Sequence, residues 1–335
     1  MSTKVDKIGI IGAGNWGKNV VRNFYEILGP EKVVVCDSDE ERLERAEGDN
    51  PGITTAREAE QVIEDTDLPA ISIATPAPTH YELSIAALEA GKHVLVEKPI
   101  ALDVENAREM IELAEEKDLT LMVDHLLEYH PVVDKLKALL SEGELGDVYY
   151  AYGQRVNLGV VRTKENALWS LGPHDVSVLL YLFGVEPEAV HARGGTYLQK
   201  DRGVEDVVFL DMDFDGDLMA HTHLSWLDPH KIRKMTLVGS EKMAVFDDME
   251  STDKLKIFDK GAASSGDGGF NVRYGDMYAP NVKLSEPLKE MCLHFIDSVE
   301  NGNRPRSDGY DGLRVLRVLE AGERSLNTGE WEKVG

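Results

Sequence analysis

The stretch "IGIIGAGNWGKNVVRNF", residues 8–24, joins an apolar run to a glycine-spaced turn and then to an amphipathic helical pattern. Ile8–Ile11 reads as a buried strand, and Gly12, Gly14 and Gly17 follow it directly. Each glycine has a separate physical task. Gly12 permits a tight turn, Gly14 lets backbone approach a pyrophosphate, and Gly17 lets helix and strand pack closely. A helix opening there offers unpaired N–H groups and partial positive charge to phosphates. Asn15 and Trp16 lie in the same turn. The next apolar run, Val33–Cys36, ends on Asp37 and Ser38. An acid at that place accepts hydrogen bonds from ribose hydroxyls and repels a 2′-phosphate, which favours NAD over NADP.

Outward from this unit, residues 5–124 alternate between short apolar runs and helical patterns. The runs are Ile8–Ile11, Val33–Cys36, Ala70–Ala74, Val94–Val96 and Leu119–Val123, and "THYELSIAALEAG" and "DVENAREMIELAEEKD" are two of the helices. Such alternation predicts a doubly wound parallel sheet covered on both faces. Thr79 and Glu82 have the spacing of a capping box. After about residue 145, "DVYYAYGQRVNL", "AVHARGGTYL", "EDVVFLDMDF", "DLMAHTHLSW", "KMTLVG" and "MAVFDD" read as strands with few helices between them. They predict an α+β domain on a large, mainly antiparallel open sheet. Helices are expected at Pro173–Leu182, Glu286–Val299 and Tyr310–Leu326, and "KGAASSGDGG" (260–269) reads as a surface loop. The expected domains are 1–124 and 125–335.

Composition limits the partners. The chain has 335 residues and a net charge of −25, which argues against nucleic acid or an anionic membrane surface. No run is long and apolar enough for a membrane span, and no secretory leader is visible, so the expected location is the cytoplasm. Cys36 and Cys292 are too far apart in sequence to suggest a metal module. "DMDFDGD" (211–217) opens like a calcium loop, but Thr222 stands where the closing Glu belongs. Asp215-Gly216 is better read as a type I′ hairpin turn, and His221 and His223 as one face of a packed strand. No metal is expected. An open sheet with one face bare of helices predicts a homodimer or homotetramer.

Two further stretches carry chemistry. "IATPAPTHYEL" (73–83) places Thr75 and Pro76 beyond the carboxyl end of a strand, where such sheets present their ligand crevice. His80 is read as a cofactor-wall or structural residue. "HVLVEKPIAL" (93–102) ends a strand on Glu97, Lys98 and Pro99. Lys98 can hydrogen-bond a reacting hydroxyl, Glu97 balances its charge, and Pro99 stiffens the turn.

"GIIGAGNWG", the acidic second strand end, "TPAPTH", "EKP", "GPHD", "DHLLEYHPVV" and "NGNRPRSDGYDGLRVLRVLEA" occur in this order along nearly the whole chain. Together they resemble the glucose-fructose oxidoreductase / inositol dehydrogenase / MocA (Gfo/Idh/MocA) family. The resemblance implies a catalytic role for Lys98 and a second catalytic motif ending on His174. The family's aspartate four residues before that histidine is replaced here by Ser170. The segment "RVNLGVVRTKENALWSLGPHD" resembles the nucleotide-sugar branch, which implies a UDP-linked substrate held by Arg155, Asn157, Arg162, Asn166, Ser170 and His174, with Lys164, Lys231 and Arg233 as further cations. The expected activity is NAD-dependent oxidation of a secondary hydroxyl, at C3 of a UDP-amino sugar. A free-sugar or inositol dehydrogenase and a non-catalytic dinucleotide-bound regulator are the alternatives.

Overall fold

Four apolar residues, Ile8–Ile11, are fully buried as β1, and the chain turns at Gly12 into α1 (Gly17–Leu28). The computed structural model describes residues 4–265 and 268–335. The alternation continues through β2 (Val33–Cys36), α2 (Glu40–Asp49), β3 (Thr54–Ala56), α3 (Ala59–Ile63), β4 (Ala70–Ile73), α4 (His80–Glu89), β5 (His93–Val96), α5 (Val104–Glu116) and β6 (Leu121–Val123). The six strands are parallel in the order β3-β2-β1-β4-β5-β6, the Rossmann arrangement. The order reverses between β2 and β4 on either side of β1, so a ligand crevice opens beyond the carboxyl ends there.

One expected device is absent. Thr79 has helical backbone angles and caps nothing; its hydroxyl bonds the Thr75 hydroxyl at 2.7 Å and the Pro76 carbonyl at 2.8 Å. The capping box in this sheet unit sits instead at Glu58 and Gln61, where α3 begins.

The second sheet has nine strands: β7 (Val148–Val156), β8 (Ala189–Gly195), β9 (Val207–Asp213), β10 (Met219–Ser225), β11 (Ile232–Gly239), β12 (Met243–Asp247), β13 (Leu255–Ser264), β14 (Phe270–Tyr278) and β15 (Glu332–Lys333). All pairings are antiparallel except β7 with β10. Before it comes α6 (Pro131–Ser141), and α7 (Ala167–Phe183) packs on β10. Period-two alternation sorts the faces. Ala220, Thr222 and Leu224 are buried on the α7 side, while Met219, His221 and His223 lie on the other.

Three expectations are corrected here. Lys260–Ser264 belong to β13, paired across to β14, and are not loop; Gly266 and Asp267 lie outside the described residues. The β9–β10 connection is not a type I′ turn. Phe214 N–H bonds the Leu218 carbonyl at 3.0 Å, and only Gly216 in it takes a left-handed φ, +79°, whereas type I′ needs two such residues. Helix α7 starts six residues before Pro173, because Asn166 caps it and Pro173 is accommodated inside the buried helix.

The chain divides into two units: Met1–Tyr129 with Ser285–Leu316, and His130–Leu284 with Arg317–Gly335. This differs from the expected 1–124 and 125–335, because the late helices α8 (Pro287–Asn301) and α9 (Gly309–Thr328) do not both stay with the second sheet. Helix α8 buries Leu288, Met291, Cys292 and Phe295 in the core of the first unit, and Glu286 accepts from Arg22 and Asn23 of α1. Residues 309–316 of α9 also belong there.

A buried polar cluster fastens α9 to the end of β6. His125 Nδ1 lies 2.6 Å from Asp311 Oδ2, and Arg314 donates to Asp311 Oδ1 at 2.6 Å. Glu128 is fully buried, neither of its oxygens has a hydrogen-bond partner, and Oε1 lies 3.4 Å from His125 Nδ1. Burial, then the Asp311 charge, pushes the Glu128 carboxyl up to about 8. Burial opposes charge on His125 as well, but the hydrogen bond to Asp311 and the Glu128 carboxyl 3.4 Å away outweigh it and raise the imidazole to about 9. Both groups therefore hold protons in the fold that the unfolded chain releases at lower pH. Their stabilisation is complete below the unfolded values and is lost as pH rises, through about 8 for Glu128 and about 9 for His125. Asp311 is shifted the other way, and its contribution is lost only in acid. The melting temperature should thus fall between pH 6 and 9, by about 2–4 °C for each kcal/mol lost in a unit of this size. Glu128→Gln, which keeps the shape without the titration, should shrink that fall in calorimetry. Parallel pH curves for the two proteins would contradict the assignment.

Candidate functional site

In the first unit, the residues expected to hold a dinucleotide converge at the carboxyl ends of β1, β2, β4 and β5. Gly12 has φ +103°, and a Cβ there would stand 2.6 Å from the Ala74 carbonyl oxygen. A Cβ on Gly17 would stand 2.0 Å from the Gly12 carbonyl oxygen. Both positions exclude any other residue. Gly14 differs, since its missing Cβ would have only the Arg42 guanidinium within reach, at 3.8 Å. The backbone is open there to an approaching group. Trp16 stands at the N-terminal end of α1 with no side-chain cap; Lys18 and Asn19 N–H turn back to the Gly14 and Trp16 carbonyls, and the positive end of the helix is left uncovered by any side chain. Asn15 and Trp16 are exposed on this turn, as is Ser38 beyond β2.

Asp37 is buried at the end of β2. Its carboxylate accepts from Ala13 N–H at 2.8 Å and Asp39 N–H at 3.0 Å, and Arg42 lies 3.5 Å away. The acid is thereby fixed against the glycine turn. Open backbone, uncapped helix and fixed acid fit a dinucleotide. Arg42 was not foreseen: it places a cation beside the acid that selects against a 2′-phosphate.

At the ends of β4 and β5 the findings are mixed. Thr75 is half-buried and Pro76 exposed, as a crevice lining requires. Lys98 follows β5, and its peptide bond to Pro99 is cis. Glu97 and Lys98 attract each other, but two other influences on the acid are larger. Glu97 Oε1 is sealed from solvent without a hydrogen-bond partner, and burial, followed by the Asp124 carboxylate, holds this acid well above the ordinary carboxylate range. Glu97 therefore tends to the neutral form. Asp124, at the end of β6, accepts from Trp16 Nε1 at 3.1 Å, a link across 108 residues that no local spacing signals. His80 is no cofactor wall, for its ring is 1% exposed and both nitrogens face backbone carbonyls.

In the second unit, Ser170 and His174 lie one turn apart on α7, both half-buried. Asn166 is committed to structure. It accepts from Trp169 N–H at 3.1 Å and donates to Glu205 at 3.1 Å and Glu323 at 2.9 Å, which removes it as a sugar contact. Arg155 reaches from β7 to α7 and donates to Asp175 at 3.0 and 2.7 Å; Thr222 donates to the same acid at 3.2 Å. Asp175, next to His174, is thus a buried anchor between helix and sheet. Arg155 and Arg233 are direct cross-strand neighbours on β7 and β11, and Arg233 stays half-exposed, 3.8 Å from Asp248. Asn157 folds over Gly159 after β7. Arg162 and Lys164 are exposed, with Arg162 3.6 Å from Glu165, and Lys231 is exposed before β11.

The reversed strand order, the glycine turn and the fixed acid define a dinucleotide-binding protein. Residues 7–125 match "Oxidoreductase family, NAD-binding Rossmann fold", and residues 133–245 match "GFO/IDH/MocA C-terminal domain". The chain belongs to the GFO/IDH/MocA oxidoreductase family, and its cofactor is NAD. It is 31% identical over 347 residues to the scyllo-inositol 2-dehydrogenase (NADP(+)) IolW of Bacillus subtilis, covering 96% of this chain and 94% of that one. An uncharacterized oxidoreductase of Streptococcus pneumoniae is 27% identical over 226 residues, 64% of this chain and 61% of the relative. The UDP-N-acetylglucosamine 3-dehydrogenase GnnA of Acidithiobacillus ferrooxidans superposes with a TM-score of 0.78 at 24% identity, over 96% of this chain and 98% of that one. No helix among the described residues is long and apolar enough to cross a membrane.

The pairing of Asp37 with Arg42 makes opposite predictions for two variants. Asp37→Ala should narrow the preference for NAD over NADP by about tenfold, near 1.4 kcal/mol. Arg42→Ala should widen it, because it removes the cation that lies 3.5 Å from Asp37. Fluorescence titration with each cofactor measures both, and equal affinities in the unmutated protein would defeat the role given to Asp37.

Proposed function

We propose that the chain oxidises a secondary hydroxyl of a sugar, and that the sugar is a UDP-linked amino sugar oxidised at C3. NAD supplies the hydride acceptor when bound. On this reading Lys98 donates a hydrogen bond to the reacting oxygen and steadies charge as it develops there, while His174 takes the hydroxyl proton as general base. Ser170, one turn before His174, can orient the imidazole but cannot balance its charge.

The observation that carries the substrate class is half-exposed Arg233 on β11, with exposed Lys231 two residues before it. Arg155, its cross-strand neighbour, is spent on Asp175 inside the chain, so Arg233 is the guanidinium of the two that is left for an anion. Exposed Arg162 and Lys164 add to the cation supply for a diphosphate. A free polyol has no need of them. The second reading, an inositol dehydrogenase, is supported by the likeness to IolW.

UDP-N-acetylglucosamine, UDP-N-acetylglucosaminuronate and myo-inositol, each added to the NAD-loaded protein, separate the readings by absorbance of reduced cofactor. Turnover is expected with a UDP-sugar. Turnover with myo-inositol alone would replace the first reading by the second, and none with any sugar would favour the non-catalytic regulator. Lys98→Ala and His174→Ala should each lower kcat by roughly 10²–10⁴-fold with a smaller change in KM. Near-normal turnover in His174→Ala would leave the proton chemistry to Lys98.

We further propose a homodimer or homotetramer built through the helix-free face of the second sheet. Tyr150 and Tyr152 stack there with ring centres 6.3 Å apart, Phe209 stacks against His221 and His223, and Met219 is 58% exposed. An apolar face of this extent marks an interface. Light scattering at micromolar concentration should report a dimer or tetramer, and Tyr152→Asp should weaken it. A monomeric unmutated protein would refute the proposal.

A further inference from the structure

His80 is the first residue of α4, and its imidazole joins two loops that meet nowhere in sequence. Nδ1 lies 2.7 Å from the Pro99 carbonyl oxygen, and Nε2 lies 2.8 Å from the Thr75 carbonyl oxygen. Those carbonyls belong to the turns that leave β5 and β4. The Thr79 hydroxyl, bonded to Thr75 and Pro76, braces the first of these turns from the other side. With both nitrogens spent and the ring buried, His80 has nothing to offer a ligand directly.

It does control backbone. Lys98 lies between Glu97, whose N–H just beyond β5 is bonded to the Ile73 carbonyl at 2.9 Å, and Pro99, whose φ is fixed by its ring and whose carbonyl is held by His80. Both flanks of the lysine are constrained, so the direction in which its side chain leaves the main chain is set. We propose that His80 is a positioning residue for Lys98, holding the turn after β5 to the turn after β4 so that the amine is aimed. The inference rests on the reading of Lys98 as the group that meets the reacting hydroxyl. A neutral imidazole donates only one of the two bonds, and burial, the largest influence, resists a second proton while the two carbonyls favour it. Asparagine could keep one arm of the link, and alanine keeps neither.

The decisive measurement needs no substrate. Reductive methylation with ¹³C-formaldehyde labels the Lys98 amine, and Lys98→Ala identifies its NMR signal. In His80→Ala that signal should move to the position of a solvent-averaged lysine, in His80→Asn it should move part of the way, and NAD affinity by fluorescence titration should stay unchanged. An unmoved signal, with or without weaker NAD binding, would overturn the proposal, and weaker NAD binding beside it would restore His80 as a cofactor wall. With a sugar that turns over, His80→Ala should lower kcat by roughly 10–100-fold, the scale of a misplacement of about 1 Å. In a Lys98→Ala background the same change should cost nothing more, because the two act as a unit. Equal losses in both backgrounds would make His80 a general scaffold residue and sink the positioning role. If Lys98→Ala itself retains turnover, the reading of Lys98 fails, while the NMR signal still decides whether His80 holds it.

Discussion

Everything in the first unit depends on one close approach, that of α1 to the turn after β1. A methyl group on Gly17 would collide with the Gly12 carbonyl oxygen, and one on Gly12 with the Ala74 carbonyl oxygen. Because neither is present, helix, turn and strand β4 close to backbone contact. Three consequences follow from that contact. The α1 N-terminus faces the crevice, the Ala13 N–H reaches Asp37, and the Trp16 indole reaches Asp124 at the far strand of the crevice. A substitution at either glycine would disturb sheet order and cofactor site together, since the same atoms serve both.

The polar groups around that crevice are arranged by burial more than by charge balance. Glu97 is attracted to Lys98, yet burial and then the Asp124 carboxylate weigh more on its carboxyl and hold it well above the ordinary carboxylate range. The cluster of His125, Glu128 and Asp311 follows the same logic: two acids share an interior with one imidazole and one guanidinium, and protons settle what charges alone cannot. In the second unit the reverse holds, for Arg155 and Asp175 form a complete buried pair that fixes α7 to the sheet. His174, the neighbour of that anchor, therefore sits on a helix that cannot easily slide.

What the sequence made legible follows from how local each signal is. Strands β1, β2 and β4 were readable because apolar runs bounded by turn residues need no partner to be recognised. The polar triplet Thr54–Ala56 gave no such run, and β3 exists only because β2 offers it an edge. Pro173 suggests a helix start, since proline suits the first turn, but Asn166 supplies the true cap by accepting from Trp169 N–H, and Glu205 and Glu323 hold its amide from distant chain. Thr79 was misread for a similar reason: its hydroxyl had a nearer partner in Thr75. The glycine turn and Asp37 are legible by spacing, and the Glu-Lys-Pro stretch as a charged strand end whose role comes from the family resemblance. Arg42, Asp124 and the Arg155–Asp175 pair are not legible by spacing, because each acts through a contact that spacing does not encode. Nor does spacing show that the Asn166 amide, a plausible sugar contact by residue type, is spent on Glu205 and Glu323.

Strand β14 closes one end of the nine-stranded sheet and is exposed along its whole length, from Phe270 to Tyr278. One side of its backbone ladder is unpaired, and Phe270, Val272, Tyr274 and Met277 present apolar area beside it. Such a rim is a template for a foreign strand. Within it stand two charged gatekeepers, Arg273 and Asp276, and the wider protection is the mutual repulsion of molecules carrying −25 each. That repulsion reaches about 8 Å at physiological ionic strength and about 3 Å in molar salt. The colloidal behaviour of the chain is therefore tied to its acidity: the surplus of carboxylates helps a lightly guarded β-edge stay apart from its copies, and salting or acidification weakens that guard.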